Sequence, residues 1–209
     1  MLENLMRNRT LFFISLFFLN LGVSMATQEP TFVLESKKEN YEIRKYKSML
    51  VAETKIVAQF DDAGSKAFKI LADYIFGNNK SKLKLEMTAP VTQQSQSEKI
   101  EMTAPVSQIK TQEGFLVQFT MPEKYTLETI PVPNDLRVEL RVIPERLIAV
   151  YSYSGSWSES RYEEKLSEFQ KALKADGIQV IGEPVFARFN SPFQLWFLRR
   201  NEIWLEIIK

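Results

Sequence analysis

The chain has 209 residues, carries 27 basic against 26 acidic side chains, and contains neither histidine nor cysteine. Their absence excludes Ser-His-Asp and Cys-His nucleophilic catalysis and the usual zinc sites. The balanced charge offers no basic face to a nucleic acid. Acid–base chemistry would fall to Asp, Glu, Lys or Tyr, and the sequence forces no pair of these together.

Met1 to Arg9 holds Arg7 and Arg9 against Glu3, and LFFISLFFLNLGV, residues 11–23, follows without a charge. Ser24-Met25-Ala26 then places small residues at the −3 and −1 positions of a cleavage site. This is the pattern of an export signal, and its apolar run is shorter than the roughly 20 residues of a spanning helix. Left uncleaved, the same stretch is a membrane anchor. The expectation is a signal peptide over 1–26, a polar lead-in over 27–40 and a single domain over 41–209. The destination is periplasmic or secreted. Removing Arg7, Arg9 and Glu3 leaves equal numbers of acidic and basic residues. An exported domain without cysteine folds without disulfides, on its core alone.

YEIRKYKSMLVAETKI, residues 41–56, interleaves β-branched and aromatic residues with charges, as a half-buried strand pair does. Asp61 offers an N-cap, Ala63, Ala67, Leu71, Tyr74 and Ile75 follow at helical spacing, and Gly77 closes the helix. EMTAPV occurs at 86–91 and again at 101–106, joined by the polar TQQSQSEK. Two matching strands that stop pairing at their prolines predict a hairpin whose ends lie at a sheet edge. GFLVQFTMP, residues 114–122, is a further strand.

The order then repeats. LRVELRVI alternates, with Leu136, Val138, Leu140 and Val142 on one face. Pro144 ends that strand and RLIAVYSYSG begins another. Ser160 and Glu163 have capping-box spacing, Tyr162, Leu166, Phe169 and Leu173 make an apolar stripe, and Gly177 stops the helix. GEPVFARF and EIWLEI supply two closing strands. β–α–β–β read twice is an α+β fold built from two pseudo-repeated halves.

YEIRKY, the doubled EMTAPV, FTMPEKYTLETIPVPND, YSGSWSESRYEEKLSEF and PFQLWFLRRNEIWLEI resemble the SOUL haem-binding protein family, in the family's order and over most of residues 41–207. The resemblance implies a distorted antiparallel β-barrel with two flanking helices, similar to small-molecule effector-binding domains. It also implies non-covalent, non-catalytic binding of haem or a related tetrapyrrole by a monomer. Axial ligation commonly uses His, with Cys, Met or Tyr as other choices; here Met, Tyr and Lys remain.

The mode that survives this composition is an apolar groove with cations at the propionates, beside the first helix and the loop before RRNE. Lys66 and Lys69 are the candidate cations, and Phe68, Phe193 and Trp196 the candidate wall. The competing structural assignments are a core Phe68, a packed hairpin holding Phe193 and Trp196, and a solvated helix face with both lysines. The loop SPFQLWF has no charge until Arg199, where relatives can hold a lysine. Arg199 and Arg200 read as structural, with Glu202 as a charge partner. Rival functions are an effector-type domain for another amphipathic molecule, an enzyme using carboxylates and tyrosines, and a cell-envelope interaction module.

Intact mass of the protein recovered from the cell envelope is expected to place its N-terminus at Thr27. A product that starts at Met1 in the cytosol would remove the export assignment.

Overall fold

The computed structural model describes residues 27–82 and 97–208. The export segment, the first EMTAPV copy and most of the connection after it lie outside the described residues.

The chain opens with β1 (Phe32–Lys37), β2 (Glu42–Tyr46) and β3 (Met49–Ile56), then α1 (Phe60–Ile75) and the short β4 (Asn79–Lys80). β5 (Val106–Thr111) and β6 (Gly114–Thr120) form a hairpin, and β7 (Val132–Pro133) pairs with β4. β8 (Glu139–Ile143), β9 (Arg146–Tyr153), α2 (Glu159–Ala175) and β10 (Gln179–Arg188) follow. A 3-10 turn at Trp196–Leu198 leads into β11 (Asn201–Ile208). Nine strands form one sheet in the order β1-β2-β9-β11-β10-β5-β6-β3-β8. The α+β class holds.

The ladder does not close into the expected barrel, because β1 and β8 remain edges. β8 spans five residues and stops before Pro144, which cannot donate to a further ladder, and its edge carries Glu139 and Arg141. The sheet is nevertheless strongly curled. Two-residue connections, Lys47-Ser48 and Pro144-Glu145, each carry the chain between strands that do not pair with one another.

Several local expectations shift. β1 lies inside the stretch read as a polar lead-in and pairs with β2. β2 and β3 belong to different parts of the ladder, β2 beside β9 and β3 between β6 and β8. Leu136 precedes β8 and is fully exposed, and Val142 faces solvent at the sheet edge. In the second EMTAPV copy only Val106 enters a strand; Thr103 bridges to Gln28, and its hydroxyl donates to the Thr120 carbonyl. Pairing therefore resumes after the proline, as a residue without an N–H dictates.

Both helices bury the faces their spacing predicts. Ala63, Ala67, Leu71, Tyr74 and Ile75 of α1 pack on Leu50, Ala52, Val117 and Phe119. Phe169 and Leu173 of α2 pack on Ala149, Ile203 and Leu205, with Tyr162 and Leu166 half-buried beside them. Gly77 and Gly177 end the helices with positive φ. At α2 the Ile178 amide donates to the Leu173 carbonyl at 2.9 Å and the Gly177 amide to Lys174 at 3.1 Å, a Schellman closure.

The N-termini differ from expectation. α1 is preceded by Gln59 and α2 by Ser158, neither with a side-chain cap bond. Asp61 instead accepts the Glu159 amide at 3.0 Å, so a carboxylate on α1 satisfies the first turn of α2.

Phe169 is fully buried. Phe169→Ala is expected to lower unfolding free energy by about 3–5 kcal/mol in denaturant titration, and the exposed Gln170→Ala by less than about 0.5 kcal/mol. Equal losses would mean that α2 packs through another face.

Candidate functional site

The segment after β10, residues 189–200, leaves five large apolar side chains in solvent. Phe193 is 94% exposed and Trp196 61%, with Leu195, Phe197 and Leu198 each above half. An apolar run of this kind collapses unless its backbone is held. Arg199 holds it: its Nε donates to the Gln194 carbonyl at 2.9 Å and its Nη2 to the Pro192 carbonyl at 2.8 Å. The same guanidinium lies 4.2 Å from the centre of the Trp157 ring.

Each residue of RRNE fixes a different neighbour. Arg200 pairs with Glu29 at 2.6 Å, lies over Phe189, and has Glu202 3.9 Å from its Nε. Asn201 accepts the Trp157 indole N–H at 2.8 Å and donates to the Gly155 carbonyl at 3.2 Å. Glu202, 2% exposed, takes Arg44 at 3.2 Å and the Trp204 indole N–H at 2.7 Å. The structural reading of Arg199 and Arg200, with Glu202 as partner, holds.

Arg188 is the residue that sequence reasoning missed. It is 8% exposed and has no carboxylate partner among the described residues. Its Nη2 donates to Gln108 Oε1 at 3.3 Å, and its Nε has no partner. The guanidinium lies over Trp157 at 5.3 Å and Phe186 at 5.6 Å. Burial pushes it down to about 10 from the usual arginine range. Where it meets α1 stands Gly64, and a Cβ there would fall 1.6 Å from Arg188 Nη2. That contact sets the end of β10 against α1. A glycine inside a helical pattern was the legible signal, because it marks close approach.

Of the expected site residues, Phe193 and Trp196 stand out in solvent rather than in a packed hairpin. Phe68 is half-buried and tilts against Phe119 at 5.5 Å. Lys66 and Lys69 are exposed on α1, with Asp62 3.8 Å from the Lys66 ammonium. No hydrogen bond, ion pair or ring contact among the described residues joins the segment of Phe193 and Trp196 to Lys66, Phe68 or Lys69. The structure brings together a different set: Arg188, Arg199, Trp157 and Gly64.

The profile described as SOUL heme-binding protein matches residues 27–206. The chain belongs to the SOUL heme-binding protein family. This SOUL chain is 32% identical over 169 residues to human heme-binding protein 2, covering 79% of the chain and 77% of the relative. The mouse protein of that name is 28% identical over 198 residues, covering 89% and 91%. The SOUL fold is also similar to the C-terminal domain of EcmrR, with TM-score 0.55, 12% identity, and 81% and 98% of the two chains covered. A hydrolase from Listeria innocua aligns with TM-score 0.53 at 11% identity, over 83% and 94%. These two likenesses concern fold alone.

In this SOUL domain, Gly64→Ala is expected to destabilise although alanine is the better helix former by about 1 kcal/mol. The new methyl would displace the buried guanidinium. Urea titration is expected to show a loss that Arg188→Met in the same chain largely restores. A gain in stability from Gly64→Ala alone would show that Arg188 has free room to move.

Proposed function

We propose that this is an exported, monomeric, non-catalytic domain that binds haem or a related tetrapyrrole non-covalently. The observation that carries the reading is the solvent-facing run of Phe193, Leu195, Trp196, Phe197 and Leu198 beside Arg199, which bonds the Pro192 and Gln194 carbonyls. Membership in a haem-binding family supports it.

A flat ligand with an apolar body and two carboxylates wants an apolar surface with cations at its margin. Phe193 and Trp196 supply the surface and stack on the macrocycle. Lys66 and Lys69 receive the propionates, and Phe68 lines the side of α1 nearest Gly64. Lacking His and Cys, the chain places its binding energy in the ring and the propionates rather than the iron. When bound, the iron carries whatever redox or ligand chemistry the haem has; the protein's groups orient the ring and shield one face.

The strand order supports the two-halves description. Outward from the central β5–β10 pair it reads β6, β3, β8 on one side and β11, β9, β2 on the other, with β1 added at that end. Each half thus contributes a strand–helix–hairpin run, in line with a duplicated unit.

Haemin and iron-free protoporphyrin are expected to bind within about tenfold of each other, or about 1.4 kcal/mol. Added salt weakens both, since exposed propionate pairs are screened. Trp196→Ala and the double variant Lys66→Ala/Lys69→Ala each weaken both ligands alike. Absorbance titration checks this. A much tighter haemin complex would place a Tyr, Met or Lys on the iron and end the groove mode. No binding by either below about 100 μM would end the haem assignment and leave an effector-type ligand as the better reading.

A further inference from the structure

We propose that the curled face of the sheet opposite the helices holds a second site, for a small amphipathic monocarboxylate, with Arg146 receiving the carboxylate. The observations lie in a cavity of about 180 Å³ that draws its lining from β5, β6, β8, β9, β10 and β11. Ile143, Ile148, Val185 and Trp204 make its apolar wall. Trp204, Ile148 and Val185 belong to the core cluster on the side away from α1 and α2.

Arg146 is the group there without an adequate partner. Its side chain is 15% exposed, its Nε is buried without a hydrogen bond, and its carboxylate contact, Glu206, stands off at 3.5 Å. Arg141, which also lines the cavity, is already satisfied by Glu53 through two bonds of 2.9 and 2.8 Å. Burial, aided by the neighbouring Arg141 charge, holds the Arg146 guanidinium below the usual arginine range, while Glu206 opposes the shift. A cation so placed costs free energy unless a carboxylate meets it. A ligand carboxylate can offer the two parallel bonds that a guanidinium fork accepts.

The entrance is built into β10. Between the pairs Ile181–Glu206 and Val185–Trp204, the residues Gly182, Glu183 and Pro184 stand opposite the single Leu205. Gly182 adopts φ +69 with open space where a Cβ would lie, and Pro184 has no N–H to leave unpaired. The bulge parts β10 from β11 at the cavity, with Ile181 partly exposed at its mouth. Glu183 and Glu206 in the lining select against a second negative charge. The volume admits one ring or a short branched chain, and falls below the roughly 300 Å³ at which larger ligands are housed. A tetrapyrrole is thereby excluded from this cavity.

The test is titration of the ¹⁵N-labelled protein with phenylacetate, its neutral isostere phenylacetamide, and benzylamine. Saturable shifts are expected at Ile181, Gly182, Glu183 and Val185 and at the Trp204 indole N–H. The amide is expected to bind at least about tenfold more weakly than the acid, and the amine not at all below about 10 mM. Arg146→Gln removes the preference for the acid. Ile181→Trp, at the mouth and outside the core, weakens acid and amide together, and it decides the matter if the arginine variant does not fold. Equal affinity for acid and amide in the unaltered protein would overturn the proposal. So would shifts centred on α1 or residues 189–200, or no saturation by phenylacetate up to about 10 mM.

Discussion

A guanidinium buried with no carboxylate partner among the described residues governs the arrangement of this molecule. Arg188 ends β10 and touches the interior of α1 at Gly64, the amide of Gln108 on β5, and the ring of Trp157 before α2. Its positive charge is met by ring faces and an amide oxygen, which are weak partners for a desolvated cation. Gln108 must therefore be held in turn, and its amide donates to the Phe60 carbonyl at the start of α1 at 3.1 Å. Trp157 is held by Asn201 on β11. α1, two central strands and the loop before α2 thus converge on one side chain, and the Trp157 ring it faces also carries Arg199 of the segment before β11.

The two faces of the sheet solve different problems. On the helix side Phe60, Tyr162 and Phe186 form a triangle of rings 5.0, 5.2 and 5.5 Å apart, so aromatic packing joins α1, α2 and β10. On the opposite side no helix among the described residues packs, and aliphatic residues mix with charged clusters. Glu202 with Arg44 and Trp204 forms one cluster, and Glu53 with Gln118 and Arg141 another. Buried ion pairs of this quality offset their own desolvation without adding much stability, and each fixes register between strands distant in sequence. Arg146 stands outside both clusters, which is why the curled face has chemistry left over.

A chain without histidine or cysteine in a haem-binding family separates two questions that haem proteins usually answer together. Holding the macrocycle needs apolar area and cations; controlling the iron needs a ligand atom. The proposed mode addresses the first. The apolar run at residues 193–198 is solvent-facing, and Arg199 bonds the carbonyls of Pro192 and Gln194 beside it.

The sequence by itself determined the helices, their buried stripes and their glycine stops, because helical periodicity and the geometry of a C′ residue are local. It determined most of the long strands, though not β1, β4 or β7, together with the structural character of RRNE and the family. Which strands pair was decided only by the tertiary structure: β2 and β3 are adjacent in the chain yet separate in the ladder, since pairing depends on surfaces brought together over long separations. The caps moved for the same reason, with Asp61 serving the other helix. The site was half legible. Phe193 and Trp196 could be named because an uncharged aromatic run beside arginines is visible in one dimension. Arg188 and Arg146 could not, because a guanidinium becomes a buried and poorly partnered charge only when the fold removes both its water and its possible partners.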